Sequence, residues 1–213
     1  MVGTMSNQPI KAVLLDYGGV IAEEGFRGEL VAMAREQGLD PHEVLQVAKY
    51  AVYDSGFVLG TGSEEAFWAS MREGSGLRGD HAEMTARVLD AFTLRTWVID
   101  HVRQWRGQGY ITGILSDQMH WLDWLNERDR FFDAFDHVFN SYHMGKGKRD
   151  PTLFDDLAEQ LALPPAGILL VDDLRSNVER AQAAGWQAVL YVDKTSFEEI
   201  SAMLPEKEPD TCS

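Results

Sequence analysis

The chain has 213 residues, 45% hydrophobic and 25% charged, a composition that excludes disorder and a length for one core domain with room for an insert. Its 19 Lys and Arg against 34 Asp and Glu give a net charge of −15, which argues against nucleic acid and anionic membrane as partners. The single cysteine, Cys212, rules out a disulfide framework or a cysteine-based zinc site within the monomer and fits a reducing compartment, so a cytoplasmic location is expected.

Residues 1–9 form a polar arm without the charged and apolar regions of a signal peptide, and no apolar run approaches the roughly 20 residues of a membrane span. Ala12-Val13-Leu14-Leu15 then runs into Asp16 and Gly18-Gly19, the pattern of a short strand buried on both faces. Residues 22–94 show no strand. Their periodicity predicts helices over 27–37, 42–53, 64–73 and 81–92, punctuated by glycines, with Ser63 as an N-cap. So long a connection after one strand predicts an inserted helical cap domain.

From residue 97 onward strands and helices alternate. A helix over 100–106 leads to a strand at 111–115 ending in Ser116-Asp117. Trp121, Trp124 and Leu125 are placed on one face of the next helix, as packing residues. A strand at 137–139 ends in Asn140-Ser141. A helix over 151–161 carries Leu153, Phe154, Leu157 and Leu161 on one stripe. A strand at 168–171 ends in Asp172-Asp173, a helix over 176–184 stops at Gly185, and a last strand spans 188–192. This alternation predicts an α/β fold, a Rossmann-like three-layer parallel-sheet core. The core comprises 1–21 plus 95–205, the cap 22–94, and a flexible tail 206–213.

Ligands of open parallel sheets sit at the C-terminal strand edges. Those edges supply Asp16, Ser116, Asp172 and Asp173, and Lys148 stands in the loop before a helix. Converging carboxylates repel unless a cation joins them, and oxygen donors without His or Cys point to Mg²⁺. A hydroxyl and an ammonium beside that ion make a phosphate cradle, in which an Asp can attack phosphorus. Lys146 competes with Lys148, and the spacing to Asp150-Pro151 favours Lys148.

These residues carry a resemblance to the haloacid dehalogenase superfamily, in the branch whose helical cap follows the first motif. It extends over about residues 11–204. The first motif stands as Leu14-Leu15-Asp16-Tyr17-Gly18-Gly19-Val20 and the second as Ile114-Leu115-Ser116. The third is Lys148-Arg149-Asp150-Pro151-Thr152-Leu153-Phe154, and the fourth Val171-Asp172-Asp173-Leu174-Arg175-Ser176-Asn177. The order of all four, each at the end of its own element, is the specific signal.

The resemblance implies a Mg²⁺-dependent phosphatase acting on a small phosphorylated metabolite through an aspartyl-phosphate. Asp16 is then nucleophile and metal ligand. Asp172, Asp173 and the Gly18 carbonyl complete the metal site. Ser116, Lys148 and the backbone at Asp117 hold the phosphoryl oxygens. Two alternatives stay open: a metal-independent 2-haloacid dehalogenase, and a metabolite-binding protein with weak or no turnover.

Three departures matter. Gly18 stands where most phosphatase relatives have a second Asp that protonates the leaving oxygen, which predicts slow turnover of esters with poor leaving groups. His120 and His143 are minor candidates to replace it. Arg149 stands in place of Pro. Asp117 stands where Asn is common, adding a charge for Mg²⁺ or Arg149 to offset. Glu23 and Glu24, in the stretch that forms a flap in the family it resembles, are candidates for contacting substrate or lid, with a solvated acidic turn as the favoured reading, and Lys49, the insert's one lysine, is a minor Schiff-base candidate.

Overall fold

A computed structural model describes residues 8–202 and residue 204. The tail expected at 206–213 and most of the arm expected at 1–9 lie outside the described residues. In chain order the elements are β1 (Ala12–Leu15), α1 (Gly25–Glu36), α2 (Pro41–Asp54), α3 (Glu64–Ser75), α4 (His81–Ala91) and α5 (Thr96–Gly107). There follow β2 (Ile111–Ser116), α6 (Trp121–Asp129), β3 (His137–Asn140), α7 (Ser141–Met144) and α8 (Leu153–Gln160). The chain continues through β4 (Ile168–Asp172), α9 (Arg175–Ala183), β5 (Gln187–Leu190) and α10 (Lys194–Ala202). The five strands form one parallel sheet in the order β3-β2-β1-β4-β5, the α/β architecture that the alternating pattern predicts.

The central strand is apolar throughout because both of its faces are covered. Val13 and Leu15 join one apolar cluster, Ala12 and Leu14 the other, as the two-residue period of a strand requires. On the second face α8 buries Leu153, Phe154 and Leu157, each worth about 1.5–3 kcal/mol of transfer free energy. The helix begins at Leu153, two residues after Pro151, because Asp150 first closes a turn by accepting from the Thr152 N–H at 2.9 Å. The last strand ends earlier than the apolar run suggests. Tyr191 still donates to the Asp172 carbonyl at 2.9 Å, but Val192 is 69% exposed and lies beyond the buried layer.

Helices α1–α4 lie between β1 and α5. Their starts are set by local caps. Asp40 accepts from the His42 N–H at 2.8 Å, Ser63 from Ala66 at 3.1 Å, and Asp80 from Ala82 at 2.9 Å. Their apolar faces, including Leu30, Met33, Phe67, Trp68 and Met71, belong to the same cluster as Val13 and Leu15. Trp121 is the wedge between insert and sheet, with ring centroids 5.7 Å from Phe57 and 6.2 Å from Phe67. Trp124 does not share that face. It is 42% exposed and meets the edge of the His120 ring, because three residues of helix turn it past the apolar stripe that Trp121 and Leu125 occupy.

The chain leaves the sheet after β1 and returns before α5 through two adjacent crossings, joined by a bridge between Ala22 and Leu94. Arg95 fixes both. Its Nη1 donates to the carbonyls of Gly19, Val20 (2.8 Å) and Ala22 (3.1 Å), and Nη2 pairs with Glu23 at 2.7 Å.

Candidate active site

Strand register builds the site. Leu15 lies opposite Val171 in β4 and Ile114 in β2, so the next residues, Asp16 and Asp172, leave neighbouring strands side by side, with Ser116 close by on β2. One carboxylate oxygen from each of Asp16, Asp172 and Asp173 lies within 4.8 Å of the others. Lys148 reaches them from the loop before α8. It is fully buried, with Nζ 3.0 Å from Asp16 Oδ1 and 2.5 Å from Asp172 Oδ2. Lys146 is elsewhere, bonding Thr152 at 2.7 Å and Asp156 on the surface.

Asp16 receives two bonds on one oxygen, from Lys148 and from the Tyr17 N–H at 2.7 Å. Asp172 is more heavily tied. Oδ1 accepts from the Leu174 N–H at 2.8 Å and Oδ2 from Lys148, with Asn177 Nδ2 within 3.2 Å of both oxygens. Asp173, half-buried, is the less encumbered partner, and it does not cap α9, whose N-cap is Leu174.

One ammonium faces three carboxylates, and the electrostatics follow. Burial pushes Asp16 up, Lys148 pulls the other way, and Asp172 and Asp173 push it further, to about 7. Asp173 is raised by burial and then by Asp172. Burial works against the charge on Lys148, but Asp16, Asp172 and Asp117 outweigh it and hold its pKa above the usual lysine value.

The donor set fits a hard divalent cation. All three donors are oxygens, the cluster has an excess of negative charge, and opposite ligands of Mg²⁺ stand about 4 Å apart, close to the spread seen here.

Asp172 lies buried behind Asp16, Asp173 and Lys148, which line a cavity of about 720 Å³ whose wall also includes residues of α2. Ser116, buried, and Asp117 line it, as do Gly18, Lys49 and Arg149. His120 and His143 do not belong to its lining. His120 is packed against Phe57 and Trp124, and His143 pairs with Asp123 at 2.8 Å. The charge of Asp117 is met differently from the sequence expectation. Oδ2 accepts from Tyr53 Oη at 2.5 Å and Oδ1 from the Lys148 N–H at 2.8 Å, while Arg149 stacks on the Tyr53 ring.

Gly19 has φ +82°, and a Cβ there would lie 2.6 Å from Asp173 Cγ. Only glycine lets the loop pass so close to that carboxylate. Gly18 is different, since a Cβ there would meet nothing nearer than Phe92 Cε1 at 3.5 Å and Glu24 Oε1 at 4.0 Å. Glu24 is thus no solvated turn residue. It is half-buried, its Oε2 caps α1 by accepting from Arg27 N–H at 3.0 Å, and its other oxygen lies near the space above Gly18. Burial, then the field of Asp173, raise its pKa, partly offset by Arg27. Glu24, Tyr53 and Arg95 carry no motif. The place of Glu24 just after the first motif is the sequence signal for it; Tyr53 and Arg95 have none.

Comparison with known proteins adds three findings. The family model described as haloacid dehalogenase-like hydrolase matches residues 10–185. Enolase-phosphatase E1 of Klebsiella oxytoca is 28% identical over 102 residues, 45% of this chain and 42% of that protein. The chain spans less than half the length of the curated relatives it matches. Among solved structures, the HAD family enzyme bt-2542 of Bacteroides thetaiotaomicron superposes with TM-score 0.69 at 18% identity, covering 91% of this chain and 98% of that one. It has also been solved with magnesium and inorganic phosphate. The L-2-haloacid dehalogenase RSc1362 superposes with TM-score 0.67 at 16% identity, over 86% of each chain. At these identities the structural matches show a shared fold. No helix among the described residues is long and apolar enough to cross a membrane.

Proposed function

The chain belongs to the haloacid dehalogenase-like hydrolases, and on that premise we propose that it cleaves phosphate monoesters of small metabolites through a phosphoryl group carried on Asp16. The observation that carries this reading is the cluster of Asp16, Asp172 and Asp173 around Lys148. Three carboxylates with one ammonium lack a counter-charge that a divalent cation provides. Asp16, Asp173 and the Gly18 carbonyl would hold Mg²⁺, with Asp172 in reach. When bound, the ion supplies positive charge for the transferring phosphoryl oxygens.

The chain's own residues do the rest. Asp172 and Asn177 hold Lys148 in place, and Lys148 with Ser116 and the backbone N–H of Asp117 orient the phosphoryl group. An Asp16 oxygen attacks phosphorus and the ester P–O bond breaks. The leaving oxygen takes a proton from Glu24, the protonatable side chain nearest Gly18. Glu24 then accepts a proton from water, which attacks phosphorus, releases inorganic phosphate and restores Asp16. Residues 22–94 act as the cap. Helix α2 contributes Leu45, Lys49, Val52 and Tyr53 to the cavity wall and excludes water during transfer.

The Asp172-Asp173 pair favours this reading over halide displacement, which needs no cation. The relative named enolase-phosphatase supports the phosphatase branch. The test is hydrolysis of aryl and sugar phosphates with Mg²⁺ or EDTA, beside chloride release from 2-haloacids. Phosphate release that survives both EDTA and Asp16→Asn, or chloride release without metal, would defeat the proposal.

A further inference from the structure

Five lysines and arginines line the cavity, Arg27, Lys49, Lys148, Arg149 and Arg180, and among the described residues Lys148 alone of these forms an ion pair. The same wall carries Asp16, Glu24, Asp117 and Asp173. Asp16 pairs with Lys148, Asp117 accepts from Tyr53 and the Lys148 N–H, and the fields of Glu24 and Asp173 are met in part by Arg27, which leaves Arg149 with no carboxylate at ion-pair distance among the described residues.

Arg180 donates to Ser176 O and Asn177 Oδ1, whereas Arg149 is held by a ring alone. Its guanidinium carbon lies 3.6 Å from the centroid of the Tyr53 ring. The ring is itself fixed, because Tyr53 Oη donates to Asp117 Oδ2 at 2.5 Å and Asp117 Oδ1 accepts from the Lys148 N–H at 2.8 Å. A stacked guanidinium has its face covered and its N–H donors spread outward in the ring-parallel plane, a fork that matches a carboxylate or phosphate. Ordering a long side chain this way costs rotamer entropy, and among the described residues no acceptor meets its N–H donors. The residue before it in sequence, Lys148, faces Asp16. The fork and the site of phosphoryl transfer are therefore adjacent along the chain yet separately held.

We propose that the substrate carries a second anionic group, a carboxylate or a further phosphate, which Arg149 holds through paired N–H donors while Lys148 holds the phosphoryl group that is transferred. This deepens the phosphatase reading and rests on it. Tyr53 is a positioning residue: it sets the plane of the fork and ties it to α2.

The experiment compares phenyl phosphate with 4-carboxyphenyl phosphate and 1,4-phenylene bisphosphate, which share an aryl leaving group. The wild-type protein is expected to favour at least one charged ester in kcat/KM by about tenfold, the scale of one charge-assisted pair. Arg149→Ala and Tyr53→Leu erase that ratio, and Arg149→Lys retains part of it. Which charged ester depends on Arg149 identifies the group. A wild-type ratio near one overturns the inference. So does an equal loss on all three esters in Arg149→Ala, which would assign Arg149 to the transferred phosphate. Failure to hydrolyse any ester instead defeats the phosphatase reading. Calorimetric titration of the Asp16→Asn protein with the same esters then reads the anion preference on its own, and equal affinities overturn it.

Discussion

Asp16, the proposed nucleophile, is a liability to the fold, and Asp16→Asn exposes the cost. Asp16 is 9% exposed, and its pKa is pushed up from 3.8 to about 7 by burial and by Asp172 and Asp173, against the pull of Lys148. An acid whose pKa is raised on folding carries no penalty below its unfolded value. The penalty grows as pH rises from about 4 to 7 and is constant above. A rise of about three pH units at about 1.4 kcal/mol each sets a ceiling of about 4 kcal/mol. That ceiling already includes the pull of Lys148; the amide replaces the acid's hydrogen bonds imperfectly, so the net gain at pH 8 is about 1–3 kcal/mol. In a domain this size that is a rise in Tm of about 2–12 °C. Melting both proteins in EDTA from pH 4 to 8.5 reads the effect as a difference that opens between pH 4 and 7. Excess Mg²⁺ should narrow or reverse it, because binding stabilises the wild type more. An Asp16→Asn protein less stable than wild type at pH 8 without metal, or a difference that does not change with pH, would refute the reasoning.

Three further outcomes are expected. Lys148→Met leaves the buried carboxylates without their cation, so it abolishes turnover and lowers stability by about 3–5 kcal/mol, read by urea unfolding in EDTA; an unchanged midpoint would contradict the burial argument. Glu24→Gln slows alkyl phosphates by about 10²-fold and aryl phosphates much less, since only the poor leaving group needs the proton. Gly18→Asp, which has room for its Cβ, should restore alkyl turnover in that background, and a parallel loss on both ester types would remove Glu24 from the proton path. Gly19→Ala places a methyl at φ +82° against Asp173 and costs about 1–3 kcal/mol; calorimetry should show Mg²⁺ affinity reduced, and unaltered binding would mean Asp173 yields freely.

The sheet was legible because its strands are apolar on both faces and stop at polar residues. Ala12–Leu15 and Ile168–Asp172 end where a chain emerging from a buried sheet must find water, metal or ligand. The same logic brings Asp16, Asp172, Asp173, Ser116 and Lys148 to one edge from the sequence alone. What the sequence hid were contacts across the insert. Tyr53 lies 64 residues from Asp117 and Arg95 lies 76 from Gly19, and no local period encodes which insert residue meets which loop. Trp124 was misplaced for a related reason, since an aromatic three residues from a buried one sits at the margin of the stripe and only the neighbours decide its side. Glu24 stands out only as one of two candidates with Glu23, because side-chain capping and burial look, in sequence, like an ordinary acidic pair.

Arg95 gives the molecule a mechanical property. One guanidinium grips three carbonyls of the outgoing crossing from its own place on the returning one. The two crossings therefore behave as a single joint and not as two independent tethers. A swing of α1–α4 away from the sheet must either shear those bonds or drag the peptide at Gly19 along with it, and that peptide is packed against Asp173. Any such motion of α1–α4 is geared to Asp173 and the carboxylates beside it, so opening the cavity and loosening the grip on its contents become one movement.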